Sequence, residues 1–287
     1  MKSINMMAKT IFLVIVLCSL VKTQTISSGY IDVDNGKVFY ETAGSGPVLV
    51  FIHDGLIHRE VWDNQFSFFS KNYKVVRYDR RGFGKSSAAT GTFSNVEDLH
   101  TLFTQLHIDS ACLIGASAGG WLAIDFTLHY PRKVNSLVLV GAVVDGLPYT
   151  QHLKTRGGHL PSNFKDFQEI AMYYVSDDPY EIYYKNTAAR EKAKELVRNN
   201  PGKGHGSGES APSSVPGYRR LNEIKVPALI LVGEFDMPDV HAHAGAINAG
   251  IMNSTRDIIP KSGHLVPLEQ PVLLNEAVMK FFNGLKK

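Results

Sequence analysis

Residues 111–120 read Ala-Cys-Leu-Ile-Gly-Ala-Ser-Ala-Gly-Gly and contain the pattern Gly-x-Ser-x-Gly, centred on Ser117. The apolar run Cys112–Ile114 is typical of a buried strand, and Ala118–His129 is predicted to form a helix that stops before Pro131. A serine on a sharp strand-to-helix turn stands at the edge of a parallel sheet, where its hydroxyl can act as a nucleophile. This context predicts an α/β fold with Ser117 as a catalytic residue, although a purely structural turn serine is the alternative.

Further strands surround this turn and alternate with helices, which indicates a mostly parallel sheet covered by helices on both faces. Asp34-Asn-Gly36 is typical of the turn of a β-hairpin. Helices are predicted over Asn95–Leu106 and Val272–Phe282 because their apolar residues recur at helical spacing. The eight predicted strands are Tyr30–Val33, Lys37–Thr42, Val48–Ile52, Lys74–Tyr78, Cys112–Ile114, Val134–Val140, Ala228–Val232 and Thr255–Ile259.

The region 145–225 interrupts the alternation, because it contains no stretch typical of a buried strand. It contains instead an aromatic, helix-prone segment, Phe164–Tyr184, and a charged helix-like run, Ala188–Asn199. An insertion between two sheet strands suits a helical cap over an active site, and a cap that only packs on the core is the alternative. The predicted core is therefore 26–144 with 226–287, and the predicted cap is 145–225.

Residues 1–25 are predicted to be a signal peptide. Lys2 and Lys9 precede the apolar run Ile11–Leu20, which is about half the length of a membrane-spanning helix. Cleavage after Thr23 or Thr25 would give an exported protein, periplasmic or secreted, with no integral membrane domain. An uncleaved membrane anchor is the alternative.

The charge of the chain gives no reason to expect a nucleic-acid partner. The formal net charge of +3 comes from three lysines in the first 25 residues, and subtracting them from the 30 basic residues leaves 27 against 27 acidic ones. A balanced chain is not attracted to polyanions. His241 and His243 form a His-x-His pair without a third metal ligand, and the cysteines lack zinc-site spacing. We expect no metal and no organic cofactor.

From about Gly29 to its end, the chain resembles the α/β-hydrolase fold superfamily. The resemblance rests on the serine turn, on Asp79-Arg-Arg-Gly-Phe-Gly-Lys-Ser86 and on Ser262-Gly-His-Leu-Val-Pro-Leu-Glu-Gln-Pro271. The last segment and Asp236-Met-Pro-Asp239 look most similar to the small esterase and enol-lactonase branch, which also includes cofactor-free haloperoxidase-like enzymes. The resemblance implies a mostly parallel sheet of the eight-stranded type with an inserted helical cap.

The resemblance also implies the chain order Ser…Asp…His for the catalytic residues. His264 would be the general base toward Ser117, and Asp236 would orient its imidazole. Asp239, Glu234 and Asp145 are the alternatives for the acid.

The backbone amides of Gly55 and Ala118 are expected to form the oxyanion hole. Ala118 starts the predicted helix after Ser117, so its N–H faces a developing oxyanion. In Ile52-His-Asp-Gly-Leu56, Asp54 stands where the family usually has glycine, and Gly55 would then occupy the donor position. We expect the Asp54 carboxylate to point away and bond locally, because an inward carboxylate would oppose an anion.

The serine turn and the resemblance together imply a serine hydrolase that cleaves a carboxylic ester or lactone of a small acyl substrate, in enzyme class EC 3.1.1. Hydrolysis of a carbon–carbon bond and haloperoxidase-like perhydrolysis by the same three residues are alternatives. The third alternative belongs to a different functional class: a non-catalytic receptor that binds a small ligand in the capped pocket.

Overall fold

The computed structural model describes residues 25–180, 182–200, 209–210 and 215–285. All but the last residue of the predicted signal peptide lies outside these ranges, so its cleavage and export remain predictions. Within the described ranges, every helix is too short or too polar to cross a membrane.

A single eight-stranded sheet forms the centre of the molecule, in the order β1-β2-β4-β3-β6-β7-β9-β10. Along this order, adjacent strands are parallel from β4 to β10, whereas β2 runs antiparallel to both β1 and β4. This confirms the predicted mostly parallel sheet. The short β5 and β8 pair with each other separately. The strands are β1 (Ser27–Val33), β2 (Gly36–Ala43), β3 (Val48–Ile52), β4 (Lys74–Tyr78), β5 (Thr92–Phe93), β6 (Ala111–Ala116), β7 (Val134–Val140), β8 (Glu209–Ser210), β9 (Ala228–Gly233) and β10 (Ser254–Ile259).

The helices cover both faces of this sheet, as expected. Every residue of β6 is buried, which requires a layer on each side of the strand. Helices α1 and α9 pack on each other, as do α2 and α3. The α-helices of the described residues are α1 (Asp63–Phe69), α2 (Asn95–Gln105), α3 (Ala118–His129), α4 (Gln151–Thr155), α5 (Phe167–Ser176), α6 (Thr187–Arg198), α7 (Pro238–Gly250), α8 (Val266–Glu269) and α9 (Pro271–Leu285).

Between β7 and β9 the chain forms a helical insertion that contains α4, α5 and α6. Helix α5 is shorter than the helix-prone segment from which it was predicted. The Asp166 side chain caps its start by accepting a hydrogen bond from Glu169 N, and Pro179 follows shortly after its end. Helix α6 begins after Asn186, which caps it in the same way. The two helices pack against each other and form the body of the insertion.

Candidate active site

Ser117 lies on the turn between β6 and α3, with φ 50° and ψ −116°. A non-glycine residue rarely adopts this conformation, which costs about 1–3 kcal/mol and is common at functional sites. Glycines on either side make the turn possible. A Cβ on Gly119 would lie 2.3 Å from the Ile52 carbonyl oxygen, and one on Gly115 would lie 2.4 Å from that of Gly119. These close approaches hold Ser117 at the carboxyl end of the parallel strands.

His264 and Asp236 form a buried hydrogen-bonded pair near this turn. The Nδ1 atom of His264 lies 2.9 Å from Oδ1 and 3.1 Å from Oδ2 of Asp236. A carboxylate only accepts hydrogen bonds, so Nδ1 carries the proton and Nε2 is left to act as a base. Asp236 follows β9, and its Oδ1 also accepts a hydrogen bond from Met237 N. Ser117 and His264 line one cavity, without a direct hydrogen bond between their described side chains. Such bonds are often long before substrate binds.

The other candidate acids have different partners. Asp239 accepts hydrogen bonds from the backbone and the hydroxyl of Thr150, and Glu234 accepts one from Lys261 N. The backbone carbonyl of Asp145 accepts a hydrogen bond from Tyr218 N. Of the four carboxylates that the sequence offers, Asp236 is the one bonded to His264.

The loop that carries His264 is attached to the insertion. The backbone N–H groups of His264 and Leu265 donate to the Ile182 carbonyl, at 2.8 and 3.1 Å. The Glu269 carboxylate accepts from Gly263 N at 2.9 Å and from Tyr184 N at 2.6 Å, and so links the two segments a second time. Sequence analysis missed both contacts. Glu269 is part of the quoted histidine segment, but nothing in the sequence shows which residues it bonds.

The environment of His264 raises its pKa above the ordinary value. Burial is the largest influence and opposes protonation, but the charge and hydrogen bond of Asp236 outweigh it, with further contributions from Asp54 and Glu269. The imidazolium that forms when a base takes up a proton is therefore stabilised, as a general base requires.

The two predicted oxyanion donors lie side by side, since a Cβ on Gly55 would be 3.5 Å from that of Ala118. The peptide that carries the Gly55 N–H is fixed through its carbonyl, which belongs to Asp54. That oxygen accepts hydrogen bonds from His53 Nδ1 at 2.7 Å and from Arg80 Nη2 at 2.5 Å. In a trans peptide the C=O and N–H point in opposite directions, so these contacts also set the direction of the Gly55 N–H.

The Asp54 carboxylate bonds locally, as expected, but it does not leave the site. Its Oδ1 accepts from Leu56 N at 2.7 Å and Ile57 N at 2.9 Å, which fixes the turn after β3. Its Oδ2 is buried without a hydrogen-bond partner among the described residues. Asp54 lines the cavity, and its charge favours protonation of His264.

Two cavities meet at Ser117. The first, of about 420 Å³, is also lined by Gly55 and His264 and is roofed by residues of the insertion, among them Leu153, Tyr174 and Ile182. The second, of about 560 Å³, is lined by Trp121, Leu147 and His243. Ser117, Ala118, Tyr149 and Lys154 line both. The insertion thus forms part of the cavity wall.

The two histidines of the His-x-His pair on α7 have different partners. His243 Nδ1 accepts a hydrogen bond from Val144 N, whereas His241 contacts Arg256. Within the described ranges, no three His, Cys, Asp or Glu side chains are grouped so that they could hold a metal ion.

Residues 49–277 match the sequence model of the alpha/beta hydrolase family. The chain therefore belongs to the alpha/beta hydrolase family. The match spans the sheet from β3 onward, the turn at Ser117, Asp236 and the His264 loop.

Several relatives and solved structures resemble this alpha/beta hydrolase over most of their length. The 2-hydroxy-6-oxononadienedioate/2-hydroxy-6-oxononatrienedioate hydrolase of Paraburkholderia phymatum is 29% identical, with 90% of this chain and 96% of the relative covered. The 3-oxoadipate enol-lactonase 2 of Acinetobacter baylyi is 26% identical, covering 85% and 93%. A thermophilic esterase from Thermogutta terrifontis superposes with a TM-score of 0.72 at 21% identity, covering 90% and 98%, and shows the shared fold.

Proposed function

We propose that this alpha/beta hydrolase is a serine hydrolase that cleaves a carboxylic ester or a lactone, in class EC 3.1.1. One observation carries the proposal: a single cavity is lined by Ser117, by His264, and by Gly55 and Ala118. His264 is hydrogen-bonded to Asp236, and Ser117 stands on a constrained turn. A nucleophile, an oriented base and two adjacent amides are the groups that acyl transfer requires. The similarity to an enol-lactonase supports a lactone or ester as the substrate.

In the proposed mechanism, His264 Nε2 accepts the Ser117 proton as Oγ attacks the acyl carbon. The amides of Gly55 and Ala118 donate to the oxyanion of the tetrahedral intermediate, and Asp236 stabilises the imidazolium. His264 then protonates the leaving oxygen, which leaves an acyl group on Ser117. Water, deprotonated by His264, attacks this acyl group and releases the acid.

The test is the Ser117→Ala variant, assayed with 4-nitrophenyl butyrate and with a fluorophosphonate probe. We expect turnover to fall by about 10⁴-fold or more and covalent labelling to disappear, because the nucleophile is lost. The matched control is Ser162→Ala, at an exposed serine of the insertion, which should change neither readout. Full activity in folded Ser117→Ala contradicts the proposal. Stoichiometric labelling of the wild-type chain without turnover of any ester or lactone indicates the non-catalytic receptor instead.

Hydrolysis of a carbon–carbon bond is the second candidate, because the relative from P. phymatum is named for a 2-hydroxy-6-oxo dienedioate. The same Ser117, His264 and Asp236 would act on the ketone carbonyl of such a substrate. The two candidates are separated by assaying that compound and an aryl ester side by side with the same preparation. A much higher kcat/KM for the oxo acid would favour the second candidate.

A further inference from the structure

Arg156 occupies an unusual position beside the candidate site. It follows the last residue of α4 with a φ of 51°, and Gly157 and Gly158 after it also have positive φ, at 66° and 90°. A left-handed residue at a helix end is usually glycine, because a side chain is strained there. This conformation places Arg156, which is only 9% exposed, in the wall of the cavity that Ser117 and His264 line.

The guanidinium of Arg156 is held from several directions. It lies over the ring of Tyr174, 4.6 Å from the centroid, with Tyr180 at 5.4 Å. Its Nη1 donates to the Leu153 carbonyl at 2.8 Å, and its Nε lies 3.1 Å from the carboxylate of Asp178. Its Nη2 forms no hydrogen bond with the described residues. A cation stacked on aromatic rings with a donor to spare is preorganised to bind an anion.

The charges around the first cavity also favour an anion. Arg156 and Lys154 both line it, and Lys154 forms no ion pair within the described ranges. The one carboxylate in the wall, that of Asp54, accepts two backbone hydrogen bonds on Oδ1, and its Oδ2 has no partner among the described residues. Asp178 balances part of the Arg156 charge, and its Oδ1 is occupied by Tyr180 N at 3.0 Å. The cavity wall thus carries two cations and one carboxylate.

We propose that Arg156, assisted by Lys154, binds a carboxylate on the acyl part of the substrate. This deepens and rests on the proposed function: the substrate is an ester or lactone whose acyl chain ends in a carboxylate. The carboxylate accepts hydrogen bonds from the guanidinium, while the intervening methylene groups contact Leu153 and Tyr174 in the same cavity. No bond to the carboxylate is made or broken, so Arg156 is a specificity-determining residue.

The test compares two aryl esters with the same leaving group and chain length, mono-4-nitrophenyl adipate and 4-nitrophenyl hexanoate. They differ in a terminal carboxylate against a terminal methyl group. We expect Arg156→Leu to lower the ratio of kcat/KM for the adipate ester to that for the hexanoate ester by about 10-fold or more, the usual effect of a charge-assisted hydrogen bond. Arg198→Leu is the matched control, since Arg198 is exposed at the end of α6, and it should leave the ratio unchanged.

Removal of Arg156 alone leaves Asp178 buried without its partner, so the single variant risks unfolding. The double variant Arg156→Leu/Asp178→Leu removes both charges and should show the same loss in the ratio. The wild-type chain gives an independent result. Its KM for the adipate ester should be lower than its KM for the hexanoate ester, and the KM for the adipate ester should rise with salt concentration.

The possible outcomes separate the two proposals. If folded wild-type chain hydrolyses neither ester, the proposed ester hydrolysis is contradicted. If it hydrolyses both with equal KM, or if folded variants keep the wild-type ratio, the role of Arg156 is overturned while the ester hydrolysis stands.

Discussion

Replacing Arg80 with methionine is expected to slow catalysis through the peptide that joins Asp54 to Gly55. The guanidinium of Arg80 and the imidazole of His53 hold the Asp54 carbonyl, and thereby fix the orientation of the Gly55 N–H on the same peptide. A hydrogen bond to a charged group is worth about 1.5–3 kcal/mol. If this energy holds the peptide in its reactive orientation, loss of the hydrogen bond lowers kcat by about 10- to 100-fold, since each 1.36 kcal/mol of activation free energy changes the rate tenfold. The upper limit is the effect of losing an entire oxyanion donor, which lowers kcat by about 10²- to 10³-fold.

KM should change little, because the oxyanion forms only after substrate has bound. Steady-state kinetics with 4-nitrophenyl butyrate measure both constants, and thermal unfolding measures stability. The matched control is Arg81→Met at the next position, where the guanidinium bonds the Asp98 carboxylate and the Asp34 carbonyl instead. This control should lower Tm and leave kcat within about threefold. The reasoning is refuted if Arg80→Met retains wild-type kcat, or if Arg81→Met lowers kcat equally in folded protein.

Two further predictions follow from the same region. Asp54→Asn removes a negative charge that helps to raise the pKa of His264, so the acid limb of the kcat/KM profile should move to lower pH; movement to higher pH would show that another group dominates. Gly119→Ala should lower the free energy of unfolding by about 1–3 kcal/mol, because the new Cβ would meet the Ile52 carbonyl. Gly245→Ala in α7, with nothing within 4 Å, should raise it by about 0.5–1 kcal/mol in the same urea titration, and equal effects would contradict this account.

The features that depend on short stretches of sequence were predictable. Helix α3 has the bounds expected from the residues after Ser117, because a glycine-rich turn starts it and Pro131 prevents its continuation. The hairpin at Asn35 also forms, with Val33 paired to Gly36 and a φ of 60° that asparagine tolerates. In both cases the determining residues are neighbours in the chain, so local conformational preferences are sufficient.

Features that depend on distant contacts were not predictable. The family resemblance favoured Asp236 as the acid, but local sequence offers four acids near the ends of suitable strands, and the hydrogen bond to His264 is what separates Asp236 from the other three. Arg156 gives no signal in the sequence either, because its direction depends on a left-handed backbone at the end of a five-residue helix and on Asp178, much later in the chain. Such contacts are set by how the insertion packs on the core.

The meeting of two cavities at Ser117 has a consequence for the fate of an acyl-enzyme. In the proposed mechanism, an acyl chain anchored at Arg156 fills the first cavity only and leaves the second, beside Trp121 and Leu147, vacant once the leaving group departs. Whatever nucleophile enters there decides the product: water gives an acid, and an alcohol gives a new ester. On this proposal the first cavity selects the donor and the second selects the acceptor, so hydrolysis is group transfer in which water is the acceptor.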